Sequence, residues 1–338
     1  MKKLLLILSL AILGCSLPVQ LQLTSGTPTP SPAPTQTPTP APTPLPTSEP
    51  GTKTNPLILA LAPSPRPDDA VAAAGQVIAA FIEKQTGFTI VIVQNTSESE
   101  LVEALVKGNA HIASLSPYGY VLARENNSVE AVLASVRNGE LFYGTQFIAN
   151  RESGFTSYFD SARNENTAEA VVALKQFQDK KPCWSDSASP SGYVVPLGLL
   201  MQSQVETRSG AFIEGQPSVV RAVYADNICD FGATFIDARQ SPVLEADYPD
   251  VMDKVHVIWR APKIIPYENI SISNRLPFEM RRVIQRAFID LMLTPEGKAA
   301  VQTVYGLDEL QIVEDTAYDS FVLYLQASGL ELQDLFKE

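Results

Sequence analysis

The chain has 338 residues, with 37 acidic against 25 basic side chains, a formal net charge of -12 and 45% hydrophobic content. That length suffices for two domains with cores of their own. The acidity excludes a nucleic-acid-binding surface, which needs a basic face, but not a small anion, because a nest of backbone N–H groups outweighs distant net charge.

Lys2-Lys3, the apolar run of residues 4–13 and Gly14-Cys15 give a charged start, a short apolar stretch and a small residue before cysteine. This is the pattern of a secretory signal, and about ten apolar residues are too few to span a bilayer as a mature helix. The pattern resembles a bacterial lipobox. The resemblance implies that residues 1–14 are removed and that lipid is attached to the Cys15 thiol, anchoring the protein on the extracytoplasmic face of the cell membrane. A plain signal peptide with an incidental cysteine is the competing account. Residues 27–50 then repeat Thr-Pro and Ala-Pro units with almost no charge. Alternating proline forbids helix and sheet ladders and favours an extended, solvated spacer, so residues 15–54 read as a tether.

Leu57-Ile58-Leu59-Ala60-Leu61 is a continuous apolar run, as in a strand buried on both faces. A helix over 71–84 stopped by Gly87, a strand over 88–93, a helix over 101–106 and a strand over 112–115 follow. Ser116-Pro117 then opens a further helix, with Ser as N-cap and Pro at the first position. This alternation predicts a mostly parallel sheet with helices on both faces, whose ligands bind at the carboxyl ends of the strands. A longer strand over 141–150 leads into an irregular stretch over 151–166. The alternation restarts with a helix over 168–177, strand 182–184, helix 193–204, strand 211–213, a helix through 219–224 and strand 229–235. Strand 255–259 returns through Ile265-Pro266 to 270–272, and helices over 277–293, 295–305 and 318–329 complete the chain. The architecture expected is α/β: two doubly wound lobes joined by two crossing strands, with 55–148 and 262–338 as lobe 1 and 149–261 as lobe 2.

Between strand 182–184 and the next helix lies Ser185-Asp186-Ser187-Ala188-Ser189-Pro190-Ser191-Gly192-Tyr193. A helix N-terminus attracts anions through unpaired N–H groups and its dipole, and Ser187, Ser189 and Ser191 add hydroxyl donors. An ordinary N-cap and turn accounts for the same residues. Cys183 and Cys229 stand at the starts of the first and third strands of the second lobe, which are neighbours in a doubly wound half. They read as a disulfide in an exported protein, or as two separate buried thiols.

Gly108-Asn109-Ala110-His111-Ile112-Ala113, Ser116-Pro117-Tyr118, Asp186 with Ser189-Pro190-Ser191-Gly192-Tyr193, and Pro196 occur in the order seen in a known family. Asp230-Phe231-Gly232-Ala233-Thr234, Ile258-Trp259-Arg260-Ala261-Pro262, Ile265-Pro266 and Thr294-Pro295-Glu296-Gly297-Lys298 continue that order. Together they resemble the phosphonate/phosphite/phosphate-binding (PhnD-like) proteins of ABC transporters. The resemblance implies a type II periplasmic-binding-protein fold, a small oxyanion ligand, a partner permease and a monomer without a cofactor. It gives as candidate ligand residues Ser116, Tyr118, Ser187, Ser189, Ser191, Gly192, Tyr193, Gln216, Thr234 and Glu268. Three positions depart from the family pattern or qualify it. Pro190 stands where a hydroxyl residue is usual, and Gln216 stands where the family often has a histidine. Glu268 aligns with an acid that faces the ligand's amine in aminophosphonate binders. Arg66 is a candidate compensating cation, with solvent exposure as its alternative.

Catalysis finds little support: His111 and His256 have no acidic partner at metal-ligand spacing, and no nucleophile elbow or P-loop is present. An extracytoplasmic sensor module, or a binder of a different small organic ligand, remains as a second reading.

Overall fold

The computed structural model describes residues 49–336. The signal segment, Cys15 and most of the proline-rich stretch lie outside the described residues. Among those described, no helix is long and apolar enough to cross a membrane. Residues 49–55 already pack on the fold. The Gly51 N–H donates to Asn55 O, and the Thr89 N–H donates to Gly51 O, both at 2.8 Å.

The first sheet is built from β1 (Leu57–Leu61), β2 (Ile90–Gln94), β3 (Ile112–Leu115) and β4 (Val129–Ser135). β1 is parallel to both β2 and β3. The intervening helices are α1 (Asp68–Thr86), α2 (Glu98–Lys107) and α3 (Pro117–Glu125). Gly87 and Gly108 end α1 and α2 in the left-handed conformation. Ser116 caps α3 by accepting from the Gly119 N–H at 3.1 Å, as the Ser-Pro pair predicts.

The chain then leaves this sheet through β5 (Phe142–Tyr143) and β6 (Thr145–Asn150), the expected long strand broken at Gly144. A small hairpin follows, β7 (Phe159–Asp160) with β8 (Glu165–Asn166), inside the stretch read as irregular. The helix expected at 168–177 is α4 (Ala170–Ala173) continued by a 3₁₀ turn, Leu174–Phe177. β9 (Pro182–Trp184), α5 (Val195–Gln202), β10 (Ala211–Phe212), α6 (Gln216–Ala225) and β11 (Phe231–Phe235) form the second βα series. The short helices α7 (Pro242–Asp247) and α8 (Val251–Lys254) precede β12 (Val255–Arg260). The order of the second sheet is β10-β9-β11-β6-β12, in which β6 alone runs against its neighbours.

β13 (Ile265–Pro266) pairs antiparallel with β5, so the two crossings touch each other. β14 (Asn269–Ser273) then enters the first sheet between β3 and β4. After α9 (Phe278–Leu291) and α10 (Pro295–Tyr305), β15 (Leu310–Ile312) closes its edge beside β4. α11 (Asp319–Ala327) is the last α-helix described.

Each sheet is covered on both faces. Val71, Ile78 and Ile82 of α1 pack with Ile284, Phe288 and Val301 on one side of the first sheet, and Leu101, Leu105 and Tyr120 pack on the other. In the second sheet, Val219 and Val223 of α6 cover Ile148 and Val257 on one face. On the opposite face Phe177 stacks on Phe231, with ring centroids 3.9 Å apart, beside Trp184 and Val195. α11 bridges the lobes. Phe321 lies 5.9 Å from the Tyr118 ring of α3, Asp319 pairs with Arg124, and the Tyr324 backbone lies against Gly198 of α5.

Cys183 and Cys229 form a disulfide with 5.6 Å between Cα atoms. β9 and β11 are indeed neighbours, with Gly232 opposite Cys183. The bridge spans a sequence separation of 46 residues, and in the chain-entropy treatment it stabilises by about 4 kcal/mol. Cys183→Ser with Cys229→Ser is therefore expected to shift urea unfolding by that order. Denatured, unreduced protein lacking residues 1–48 should show no reactive thiol, and finding two would contradict the bridge.

Candidate functional site

A cavity of about 520 Å³ opens between the two sheets, where the loops at their strand ends meet the paired crossings. Ser191, Gln216, Phe235 and Ile236 line it from the second lobe; Pro117 and Glu268 line it from the first. Tyr143 and Tyr267 contribute from the crossings, stacked with centroids 5.0 Å apart. Arg137 lies over the Tyr267 ring at 4.9 Å and pairs with Glu268 at 2.6 Å. Both members of this pair are partly solvated, so it contributes little to stability. They are the only charged residues among the described lining.

The serine loop is shaped by its own hydrogen bonds. Asp186 accepts from the Ala188 N–H at 3.0 Å, and the Ser189 hydroxyl accepts from the Gly192 N–H at 3.0 Å. Pro190 has no N–H, and the turn over Pro190–Val194 is a wide π-type turn in which the Tyr193 and Val194 N–H groups both reach Ser189 O. A side chain at Gly192 would not fit, since its Cβ would lie 2.0 Å from Ser185 Oγ. The N–H groups of Gly192 and Tyr193, expected to face a ligand, are thus engaged within the turn. Pro190 and the wide turn cause this by drawing the first donors back onto Ser189.

Of the other expected residues, Ser191, Gln216 and Glu268 share the cavity wall. Ser189 sits behind them, 7% exposed. The Tyr118 hydroxyl crosses to the serine loop and donates to Ala188 O at 2.9 Å. Burial pushes its pKa well up, so it remains a neutral donor. Ser116 and Glu268 line a smaller adjoining cavity of about 290 Å³. Ser187 is exposed at the loop tip, Thr234 is fully buried with its hydroxyl on Phe235 O, and the Tyr193 ring packs between Trp184 and Phe212, away from the cavity. Arg66 turns to the end of α10, donating to the Gln302 and Thr303 carbonyls and leaving the cavity to Arg137.

Beneath Ile236, Asp237 receives Arg239 at 2.6 Å, Arg260 at 2.9 Å and the Gln146 amide at 2.8 Å. Burial opposes its ionisation, but the hydrogen bond and charge of Arg239 outweigh burial and hold the carboxyl below its usual range. The cluster ties β6, β12 and the segment after β11 together under the cavity floor. Arg137, Tyr143 and Tyr267 were not singled out from the sequence. An Arg in a polar Arg-Asn-Gly turn carries no distinguishing signal until β5 and β13 pair.

Two α/β lobes, joined by two crossings and facing one cleft with their strand-end loops, define the type II periplasmic-binding-protein fold. XAC2383 from Xanthomonas citri, solved bound to ATP, shares this fold with a TM-score of 0.54 at 14% identity, over 83% of this chain and 99% of that one. The same protein bound to chloride ion gives 0.55 at 15% identity, over 82% and 98%. The chain belongs to the family of periplasmic substrate-binding proteins of phosphonate ABC transporters, which it matches over residues 59–318. It is also 29% identical to the phosphate-import protein PhnD of Mycolicibacterium smegmatis over 163 residues, 46% of this chain. That match spans 47% of the relative, about half its length.

Proposed function

We propose that this protein is the ligand-capturing lipoprotein of an ABC importer, anchored through lipid on Cys15 and acting as a monomer on the outer face of a membrane. Its cleft, between lobe 1 (55–148 and 262–338) and lobe 2 (149–261), takes a small compound with a phosphonate-like oxyanion head. One observation carries this reading: Arg137, paired with Glu268, and the Ser191 hydroxyl, held by the Gln216 amide, converge on one cavity. The head would accept from Arg137 and the Ser191 hydroxyl, with Tyr118 and Ser116 closing from the facing lobe. Glu268 would receive an ammonium group. A bare phosphate leaves Glu268 repelling it, so an aminoalkylphosphonate fits the charge pattern better than inorganic phosphate. The family's description and the name of the mycobacterial relative support an oxyanion ligand.

Charge-assisted hydrogen bonds contribute roughly 1.5–3 kcal/mol each, so several give micromolar affinity, about -8 kcal/mol, after ordering costs. A ligand touching both lobes favours the closed form, and closure marks the protein as loaded for its permease. Calorimetry with phosphate, phosphite, methylphosphonate and 2-aminoethylphosphonate tests the reading. Micromolar binding of the last, weakened about tenfold by Ser191→Ala, is expected. No binding below about a millimolar by any of the four would defeat it. Lipidation has its own check: mass spectrometry of membrane-extracted protein should find residue 15 modified at its N-terminus and thiol.

A further inference from the structure

Gln216 stands at the start of α6 with its carboxamide between partners of opposite demand. The Phe235 backbone N–H can only donate, so the carboxamide oxygen faces it and accepts. The amide nitrogen therefore faces the serines, at 2.8 Å from Ser191 Oγ and 3.4 Å from Ser189 Oγ. Reversing the amide would set N–H against N–H at Phe235, so the backbone fixes its direction.

That direction fixes the hydroxyls too. A serine oxygen has two lone pairs and one proton. Ser189 Oγ accepts from both the Gly192 N–H and the Gln216 amide, which leaves only its proton to give. Ser191 Oγ accepts from Gln216 on one lone pair, and the Tyr143 hydroxyl, kept neutral by burial, lies within reach of the other, which leaves the Ser191 proton for the cavity side. Ser191 is 2% exposed, so bulk water does not scramble this polarity.

We propose that Gln216 is a positioning residue that makes this wall a hydrogen-bond donor surface, so that the site accepts any proton-free –XO₃ head, sulfonate as well as phosphonate. The inference rests on the oxyanion reading above and narrows it. A sulfonate carries no proton in water, and a fully ionised phosphonate presents the same three acceptors. An oxygen bearing hydrogen would meet another donor at this wall.

The test compares 2-aminoethylphosphonate with 2-aminoethanesulfonate, which differ only in the head, by calorimetry on the full chain. The sulfonate is expected to bind within about 30-fold of the phosphonate. Gln216→Glu keeps an acceptor for Phe235 but takes the serine protons, and is expected to weaken both ligands on the order of 100-fold. Gln216→Met loses every hydrogen bond yet leaves the serine protons free, and is expected to cost about tenfold. The order Gln, Met, Glu is the signature of the proposal. Gln216→Glu binding both ligands at least as tightly as Gln216→Met overturns it. Phosphonate binding without detectable sulfonate binding also overturns it while leaving the oxyanion reading intact. Failure of both ligands on the native protein overturns the two together.

Discussion

Adding one methyl group at Gly198 is expected to destabilise the protein by about 3 kcal/mol, the upper part of the range for overpacking. The Cβ of an alanine there would lie 2.1 Å from the Tyr324 carbonyl oxygen and 2.8 Å from its carbonyl carbon. These are backbone atoms of α11, so no rotamer change relieves the clash; the helix must move. It is held on its other side by the Phe321 contact with Tyr118, by Arg124 on Asp319, and by Tyr120, whose hydroxyl donates to Asp315 at 2.6 Å. Displacing α11 therefore strains both lobes. Urea unfolding of Gly198→Ala checks this, with Met201→Ala, 51% exposed on the same helix, as a control expected to change stability by under about 0.5 kcal/mol. A Gly198→Ala protein as stable as the native one would mean that α11 packs elsewhere.

The second large effect concerns the charge pair in the cavity. Arg137→Gln is expected to weaken 2-aminoethylphosphonate on the order of 100-fold, because it removes the only cation among the described lining and leaves Glu268 facing the head. Glu268→Gln should act with opposite signs on two ligands. It frees Arg137 and removes repulsion, so methylphosphonate should bind about tenfold more tightly. It removes the acceptor for the ammonium, so 2-aminoethylphosphonate should bind more weakly. Calorimetry on both variants with both ligands decides, and a Glu268→Gln that moves the two ligands in the same direction contradicts the assignment.

Most of the strand and helix order was legible because it rested on strong local signals. Leu57–Leu61 is apolar throughout, Ser116-Pro117 carries its own cap, and Gly87 marks a helix end by its left-handed backbone. The Cys183–Cys229 bridge followed from topology, since first and third strands are neighbours. β4 was missed. Val-Glu-Ala-Val-Leu-Ala-Ser favours helix by composition, and it is a strand because β14 and β15 pair with it from both sides. The edge strand β15, three residues long, had no pattern to read.

The site was legible in its residue types but not in its polarity. Ser191, Gln216 and Glu268 were recognised from motif positions, and they do share a wall. That Gly192 and Tyr193 would turn their N–H groups inward depended on the π-type turn at Pro190, a choice between two hydrogen-bond registers that sequence does not encode locally. Arg137 reached the cavity only through the pairing of Ile265 with Tyr143, two positions distant in the chain.

The bridging position of α11 bears on when this protein can fold. Tyr120 finds Asp315 195 residues further on, and Ala113 finds its partner Ser271 on β14. Neither the first sheet nor the outer face of α5 can be completed until the last fifth of the described chain has arrived. Contacts of such span cost loop-closure entropy before they return any stability, so they form slowly. The first lobe of a nascent chain of this design stays incomplete while its end is still being made. For a protein of an extracytoplasmic family that delay is an advantage, because a chain that has not yet collapsed can still be threaded through a translocation pore.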